Sequence, residues 1–266
     1  MQGDGSQANP YIPENWADFV TACETSGAYV SVPQGTVYEF NEIAPAGFSG
    51  TICTGTNLTI YGNGLTINNL RYIGKHFFGD RKNNSLFDIN FTNMYFTSGF
   101  FAGDNHDSEN GNFLKFYHCR FSGEFYGLSG FCYCNQDIYF RDTDGKGCSF
   151  NLAFHDNAVA FGWQFNHSYI YNGNVKLSGE STHSMVGIYA YDSLFTGKMP
   201  FSSASFLTAN RCIFDMDIKN ISSDGGTSVL NSDRLTGTQS GFLTADSQQI
   251  RNAEYLRNIG FPIGVD

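Results

Sequence analysis

Apolar and polar residues alternate in a short pattern that recurs along the chain. In the segment Leu114–Phe121, LKFYHCRF, the first, third and eighth positions are apolar, and the alternation breaks at His118. Related segments are LTIYGNGL (58–65), INFTNMYF (89–96), IYFRDTDG (138–145), WQFNHSYI (163–170), IYAYDSLF (188–195), LTANRCIF (207–214) and SVLNSDRL (228–235). Because alternation with a period of two is typical of half-buried strands, each segment predicts two short β-strands joined at the break.

The segments themselves recur at a nearly constant spacing. Their third positions are Ile60, Phe91, Phe116, Phe140, Phe165, Ala190, Ala209 and Leu230. After a first step of 31 residues the steps are about 20 to 25 residues, too short for a strand, a helix and a second strand. The spacing therefore predicts an all-β fold, a single-stranded parallel β-helix solenoid of about eight coils in which equivalent side chains stack.

The fifth position predicts a tight corner between the two strands. Its residues are Gly62, Asn93, His118, Asp142, His167, Asp192, Arg211 and Ser232, mostly types that tolerate a left-handed backbone. The sixth position is mostly small and the eighth mostly large and apolar, which suits a narrow stacked interior. His118 is thus interpreted as a corner residue, and Cys119 as an interior residue rather than a nucleophile paired with it.

This pattern resembles the coils of right-handed parallel β-helix proteins of the pectate-lyase-like superfamily, in which V-x-I-x-N-C-x-F is common. The resemblance covers about residues 50 to 240. It implies a right-handed β-helix and is compatible with lyases, hydrolases and phage tailspikes. The stretches GDGSQANPYIPENWADFV and YLRNIGFPIGVD are similar to the ends of single-solenoid proteins from phages of gut bacteria.

Both ends of the chain predict short α-helical caps. Trp16, Phe19, Val20 and Cys23 share one helical face between Pro13 and Gly27, and Ile250, Ala253, Leu256 and Ile259 form a stripe that starts at Thr244 or Asp246 and ends at Gly260. We therefore divide the chain into an N-terminal segment with a capping helix (1–49), the β-helix (50–240) and a C-terminal capping helix and tail (241–266).

Composition and charge narrow the function classes. The 266-residue chain has a formal net charge of −10 and 41% hydrophobic residues. An acidic chain without basic clusters disfavours nucleic-acid binding, and no apolar run is long enough for membrane insertion. Seven cysteines, an odd number, indicate reduced thiols rather than a disulfide framework. The first residues lack the features of a signal peptide, so we expect synthesis in a bacterial host cytoplasm.

The seventh position predicts an outward-facing stripe. Tyr95, Arg120, Asp144 and Tyr169 would lie on consecutive coils over about 15 Å, because neighbouring strands are about 4.8 Å apart. Aromatic rings beside charged hydrogen-bonding groups suit sugar rings. The alternative is an exposed ion pair with aromatic neighbours that only stabilises the sheet.

Metal and cofactor signals are weak. His118 and His167 would be two coils, roughly 10 Å, apart, too far to share one metal ion. The acidic insertion GDNHDSENGN (103–112), with Asp104, His106, Asp107 and Glu109, and the segment DTDGKG (142–147) lack the order of an EF-hand loop. We expect no cofactor, with calcium as the alternative.

Two functions remain. The first is a non-catalytic structural or adhesive virion protein of a bacteriophage (tailspike, fibre or capsid-decorating spike) that binds host-surface glycans or other virion proteins as a homotrimer. The second is a polysaccharide lyase or glycoside hydrolase that uses the same stripe as its groove, with Asp144 and Arg120 as catalytic groups. We favour the first because no complete catalytic constellation assembles from the pattern.

Overall fold

The computed structural model describes residues 1–39, 55, 57–68, 87–97, 100–104, 112–129, 135–141, 144–145, 148–151, 160–166, 168–170, 185–198, 206–222 and 228–261. The two α-helices in these ranges are α1 (Trp16–Glu24) and α2 (Ala253–Asn258). The β-strands are β1 (Tyr29–Ser31), β2 (Val37–Glu39), β3 (Leu58–Asn68), β4 (Phe87–Phe96), β5 (Phe100–Asp104), β6 (Asn112–Tyr117), β7 (Arg120–Phe121), β8 (Gly123–Ser129), β9 (Asn135–Arg141), β10 (Asp144–Gly145), β11 (Cys148–Asn151), β12 (Ala160–Asn166), β13 (Tyr169–Ile170), β14 (Met185–Tyr191), β15 (Leu194–Lys198), β16 (Phe206–Asn210), β17 (Ile213–Ser222), β18 (Val229–Asn231), β19 (Leu235–Ser240) and β20 (Leu243–Ala245).

The chain is mostly β, with parallel sheets and few helices, which confirms the all-β prediction at that level. Seventeen strands form one hydrogen-bonded set, and β5, β8 and β11 form a second. Every strand pair among the described residues is parallel. The one antiparallel contact in these ranges is an isolated bridge between Gln2 and Ile12.

The register of these pairs follows the repeat through most of the chain. The third-position residues from Ile60 to Ala209 are direct neighbours in the order Ile60, Phe91, Phe116, Phe140, Phe165, Ala190, Ala209. Val30 pairs with Ile60 and extends this line toward the N-terminus. The seven predicted third positions from Ile60 to Ala209 are thus confirmed as one line across the sheet.

The last copy of the repeat was assigned to the wrong register. Leu230 pairs with Phe214, an eighth-position residue, and not with Ala209. The strand ends one residue later at Asn231, whose side chain accepts a hydrogen bond from the Asp233 amide and caps a 3₁₀ turn at Ser232–Arg234. A residue that caps a turn ends the strand, and the alternation alone does not reveal this.

The core lies on the inner side of these lines and combines aliphatic side chains with stacked aromatic rings. Phe91 and Phe116 stack at 4.9 Å and 7° between ring planes, and Phe96 and Phe121 at 5.3 Å and 7°. Phe116 and Phe121 also meet edge to face at 5.2 Å. All four rings are buried. Because each ring contacts its own equivalent in the next repeat and a different ring across the interior, the repeat itself dictates the packing.

The predicted corner is confirmed at every described fifth-position residue except two. These are Gly62 and Ser232, and Ser232 belongs to the copy whose register was wrong. Asn93, His118, Asp192 and Arg211 have φ angles of 53°, 51°, 50° and 52°. Asp142 and His167 lie outside the described residues.

Sixth-position serines then satisfy backbone amides of the neighbouring repeat: the Ser168 amide donates to Ser193 Oγ at 3.1 Å and the Cys212 amide to Ser228 Oγ at 3.1 Å.

The corner in β3 differs from its prediction. Tyr61 pairs with Thr92 and Leu65 with Met94, so three residues, 62 to 64, face Asn93 alone. Asn63 (φ 52°) takes the left-handed conformation instead of Gly62. Glycine is required at position 62 because a Cβ there would overlap Met94 and lie 2.6 Å from the Asn93 carbonyl oxygen. As a result, Leu65 and Ile67 occupy the sixth and eighth positions, and Thr66 the seventh.

The two predicted helices exist with shifted bounds. In α1, Asn15 rather than Pro13 precedes the first turn, and its side chain accepts from the Asp18 amide. The C-terminal stripe is divided: Ile250 lies in a 3₁₀ turn (Gln249–Arg251), and α2 starts only after Asn252, whose side chain caps it. Parallel pairing runs from Tyr29 to Ala245, on both sides of the boundaries at 49 and 240, and the division into three segments stays a prediction.

Candidate ligand-binding surface

The four stripe residues predicted from the sequence are neighbours in the strand register. Tyr95 pairs with Arg120, Arg120 with Asp144, and Asp144 with Tyr169. Thr66 precedes them in place of Gly64, the seventh residue of the 58–65 copy. Leu194, Ile213 and Val229 follow them, and Val229 takes the place of Arg234, the seventh residue of the 228–235 copy. The backbone therefore brings the four residues into one line, and their role in binding stays a prediction.

The described side chains of the stripe are accessible to a ligand. Tyr95 is half-buried and Arg120 is exposed, whereas the residues on either side of them, Met94, Phe96, Cys119 and Phe121, are buried. This alternation turns Tyr95 and Arg120 to the outer side of the sheet. For Asp144 and Tyr169 the structure establishes the backbone pairing only.

A line of polar residues that the sequence reasoning missed borders the stripe. Two residues beyond the seventh position lie Asn68, Thr97 and Ser122, on the same outer side as Tyr95 and Arg120. Thr97 Oγ1 donates to Asn68 Oδ1 at 2.6 Å, Ser122 Oγ donates to the Thr97 carbonyl at 2.5 Å, and Asn68 Nδ2 donates to the Glu39 carboxylate. The sequence signal for this line was a ninth position of the repeat, one residue beyond the eight-residue segments compared in the sequence.

His118 is a corner residue, as its position predicts. It is exposed and holds a left-handed φ, and His167 lies outside the described residues. Within the described part of the chain, no three or more His, Cys, Asp or Glu side chains are grouped to hold a metal ion. Residues 105–111 of the acidic insertion lie outside that part, so calcium binding there stays a prediction.

We predict that the backbone conformation, not the imidazole, is what position 118 requires. A β-branched residue is strained at positive φ, so His118→Val should lower stability by about 1–2 kcal/mol. His118→Asn, which copies Asn93 at the same repeat position, should stay within about 0.5 kcal/mol of the parent. Urea unfolding of the two variants measures the difference, and equal stabilities would contradict the corner assignment.

Three cysteines whose side chains are described lie buried in the core, and two of them, Cys119 and Cys212, stay protonated at neutral pH. Cys23, Cys119 and Cys212 are buried thiols that form no disulfide. Burial raises the pKa of Cys119 to about 12, and burial likewise raises the pKa of Cys212 to about 12. Because the thiolate is the reactive form, a His118–Cys119 nucleophilic pair is excluded, as the inward direction of Cys119 predicts.

A second polar cluster, also missed from the sequence, lies at the C-terminal end around Asp215. Asn231 Nδ2 donates to Asp215 Oδ1 at 2.7 Å and Arg251 Nη2 to Oδ2 at 3.3 Å. Arg234 donates through Nη1 to the Asp215 carbonyl at 2.7 Å and through Nε to Asp217 Oδ1 at 2.9 Å. These partners are up to 36 residues apart in sequence, so no local pattern joins them.

The surroundings of Asp215 stabilise its charged form, which does not suit a group that donates protons. Burial alone would raise the pKa of Asp215, but hydrogen bonds from Asn231 and Arg251 and the positive charge of Arg234 outweigh burial and lower it below its usual value. The general acid of a glycoside hydrolase requires a raised pKa. Asp215 and Asp217 therefore form a structural ion-pair network with Arg234.

Acid should weaken the C-terminal end of the protein through Asp215. Because its folded-state pKa is lowered, the carboxylate contributes stability that is fully present above its ordinary pKa of about 3.9 and is lost as pH falls through the folded-state value. The urea concentration at the unfolding midpoint should therefore fall as the pH is lowered from 5 to 3. The fall should be smaller in Asp215→Asn than in the parent protein. Asp233, whose pKa the Ser247 amide lowers, should preserve part of the dependence. Glu254→Gln, at an exposed site, serves as control; a pH profile of Asp215→Asn that matches the parent would refute the assignment.

Comparison with known proteins identifies no relative of this chain. No protein-family model, no curated protein and no solved structure matches the chain. Among the described residues, no helix combines the length and apolar character needed to cross a bilayer. The functional argument therefore depends on the register and the side chains described above.

Proposed function

We propose that the chain winds into a single-stranded right-handed parallel β-helix of about eight coils with short helical caps, as in the pectate-lyase-like superfamily. The support is the register: each strand pairs with the equivalent strand one repeat before and one repeat after it. Connections between parallel strands of one sheet are almost always right-handed, which fixes the proposed hand. The second sheet of β5, β8 and β11 would form a further side of each coil.

On this scaffold we propose a non-catalytic, adhesive or structural role in a bacteriophage particle, as a tailspike, fibre or capsid-decorating spike that binds host-surface glycans. The observation that carries the glycan-binding part is the adjacency of Tyr95 and Arg120 in the register, continued by Asp144 and Tyr169. An aromatic face next to a guanidinium can stack on a sugar ring and bind its hydroxyls.

The particle setting rests on the resemblance of residues 3–20 and 255–266 to the ends of phage solenoid proteins. In that setting the chain would be made in the host cytoplasm, and three copies would associate side by side to cover exposed faces. Mass spectrometry of purified particles of the encoding phage, and light scattering of the purified chain, test these two points. A monomer that is missing from the particles would contradict both.

The binding role is tested with the purified chain on an array of bacterial surface polysaccharides. Binding to at least one glycan should weaken about tenfold in Arg120→Ala and in Tyr95→Ala, since each removes a contact of about 1–2 kcal/mol. Arg257→Ala, an exposed arginine in α2, should leave binding unchanged. Absence of binding to every glycan, or equal binding by all variants, would overturn the proposal.

The same assay separates adhesion from the alternative, a polysaccharide lyase or hydrolase that uses the stripe as its groove. The register placement of Arg120 beside Asp144 is what favours this second reading, because a base and an acid would then face one substrate. Adhesion predicts no new reducing ends after prolonged incubation. Release of reducing ends that is abolished by Asp144→Asn would establish the enzyme instead.

A further inference from the structure

The two ends of the parallel ladder differ in what lies against their outermost strands. At the N-terminal end, residues 1–12 lie along the edge of β1, and we call them the edge-blocking segment. Within this segment Tyr11 forms a parallel bridge with Val30, and Gln2 forms an antiparallel bridge with Ile12. The parallel ladder therefore ends at this side in a piece of chain that runs in the opposite direction.

The edge-blocking segment binds the backbone of β1 on the side that faces away from β3. The Tyr29 amide donates to the Gly5 carbonyl at 2.9 Å, and the Ser31 amide donates to the Tyr11 carbonyl at 2.8 Å. The Tyr11 amide in turn donates to the Tyr29 carbonyl at 2.9 Å. Unpaired amides and carbonyls are what an edge strand offers to a strand of another chain. These three groups of β1 are therefore already occupied.

Two glycines allow the edge-blocking segment to fold back on itself. Gly3 and Gly5 have φ angles of 85° and 80°, a region that favours glycine. A Cβ at Gly3 would overlap the Pro10 carbonyl oxygen, and a Cβ at Gly5 would lie 2.5 Å from the Tyr11 ring. Because the backbone at Gly3 is not extended, the segment closes the edge of β1 without offering a regular strand edge of its own.

The C-terminal end of the ladder has no comparable segment among the described residues. In these ranges β20 pairs with β18 and with no other strand. Its three residues carry no charge, and Thr244 is exposed although its register partner Leu230 is fully buried. The buried residue of α2, Leu256, belongs to an apolar cluster that is separate from the main core. An uncharged edge strand of this kind can accept a further parallel strand.

We infer that the edge-blocking segment is an autoinhibitory contact that prevents a second copy of this chain from continuing the ladder at its N-terminal end. A second copy fits that position because its C-terminal edge carries parallel strands with the same spacing of about 4.8 Å. Head-to-tail association needs a free N-terminal edge on one copy and a free C-terminal edge on the next, so one closed edge is sufficient to stop it. The inference concerns the ends of the ladder and depends neither on glycan binding nor on side-by-side association.

The test compares two pairs of glycine substitutions in the full chain. In Gly3→Ala/Gly5→Ala the added methyl groups collide with the edge-blocking segment itself. In the control Gly27→Ala/Gly35→Ala they meet no atom within 4 Å, at similar φ angles of 77° and 74°. The first pair should make the two β1 amides that the segment binds exchange about tenfold faster. Light scattering of this pair should show a mass that grows with concentration beyond that of the parent, whereas the control should match the parent.

Two further variants make the outcome decisive. Adding Thr244→Lys to the first pair should restore the parent's mass, because association needs both edges and a lysine on an edge strand opposes pairing. A chain without residues 1–10 exposes the same β1 edge with no substitution and should associate as well. The inference is overturned if the shortened chain keeps the parent's mass, if the control pair associates equally, or if Thr244→Lys does not reduce association. Glycan binding by the stripe is unaffected by any of these results.

Discussion

Replacing Phe116 with alanine should destabilise the protein by about 3–5 kcal/mol, the range for deleting a fully buried aromatic side chain. The ring stacks on Phe91 at 4.9 Å and meets Phe121 edge to face at 5.2 Å, so its loss opens a cavity against two neighbours in adjoining parts of the core. The measurement is the shift of the urea unfolding midpoint followed by circular dichroism.

The neighbouring residue provides the matched control. Lys115 lies on the same strand with its side chain on the outer side, and Lys115→Ala should change stability by no more than about 0.5 kcal/mol. If Phe116→Ala and Lys115→Ala had similar effects, the strand would not have one buried and one outer side, and the stacked core would be wrong.

Replacing Asn231 with alanine should lower stability by about 2 kcal/mol, because it leaves several partners without a hydrogen bond in a buried site. Asn231 is 2% exposed, donates to Asp215 Oδ1 at 2.7 Å and to Ser247 Oγ at 3.0 Å, and accepts from the Asp233 amide at 3.0 Å. It therefore joins β17, the 3₁₀ turn and the segment that leads to α2.

The loss should be local to the C-terminal end, since each repeat mainly contacts its neighbours. Hydrogen exchange of residues 243–256 should accelerate in Asn231→Ala, whereas exchange around Phe116 should not change. Ser232→Ala, the adjacent exposed residue, should have no measurable effect. Protection of residues 243–256 equal to that of the parent would show that the Asp215 cluster is dispensable.

Residues whose role is set by their own repeat were predictable from the sequence. The corner at Asn93, His118, Asp192 and Arg211 follows from residue types that tolerate positive φ, and the phenylalanine lines follow from the constant spacing. The same periodicity predicted the line from Tyr95 to Tyr169, because a strand register carries every outer position with it.

Features that depend on contacts between distant residues were not predictable. Gly62 is a residue type that suits a left-handed corner. Glycine is required there for another reason, because Met94 and the Asn93 carbonyl lie too close for a Cβ atom. The alternation around Leu230 suggests another copy of the repeat, whereas the side chain of Asn231 ends the strand. The Asp215 cluster unites residues from four separate segments, and only the folded chain brings them together.

The proposed β-helix is tested most directly by spin-label distances along the seventh position. Thr66 and Leu194 are five register steps apart and Leu194 and Leu243 three, through Tyr95, Arg120, Asp144, Tyr169, Ile213 and Val229. With labels introduced as unnatural amino acids at Thr66, Leu194 and Leu243, a β-helix predicts pair distances of about 24, 14 and 38 Å, the longest equal to the sum of the other two. A distance between positions 66 and 243 well below that sum would show that the repeats do not stack along one axis and would contradict the fold.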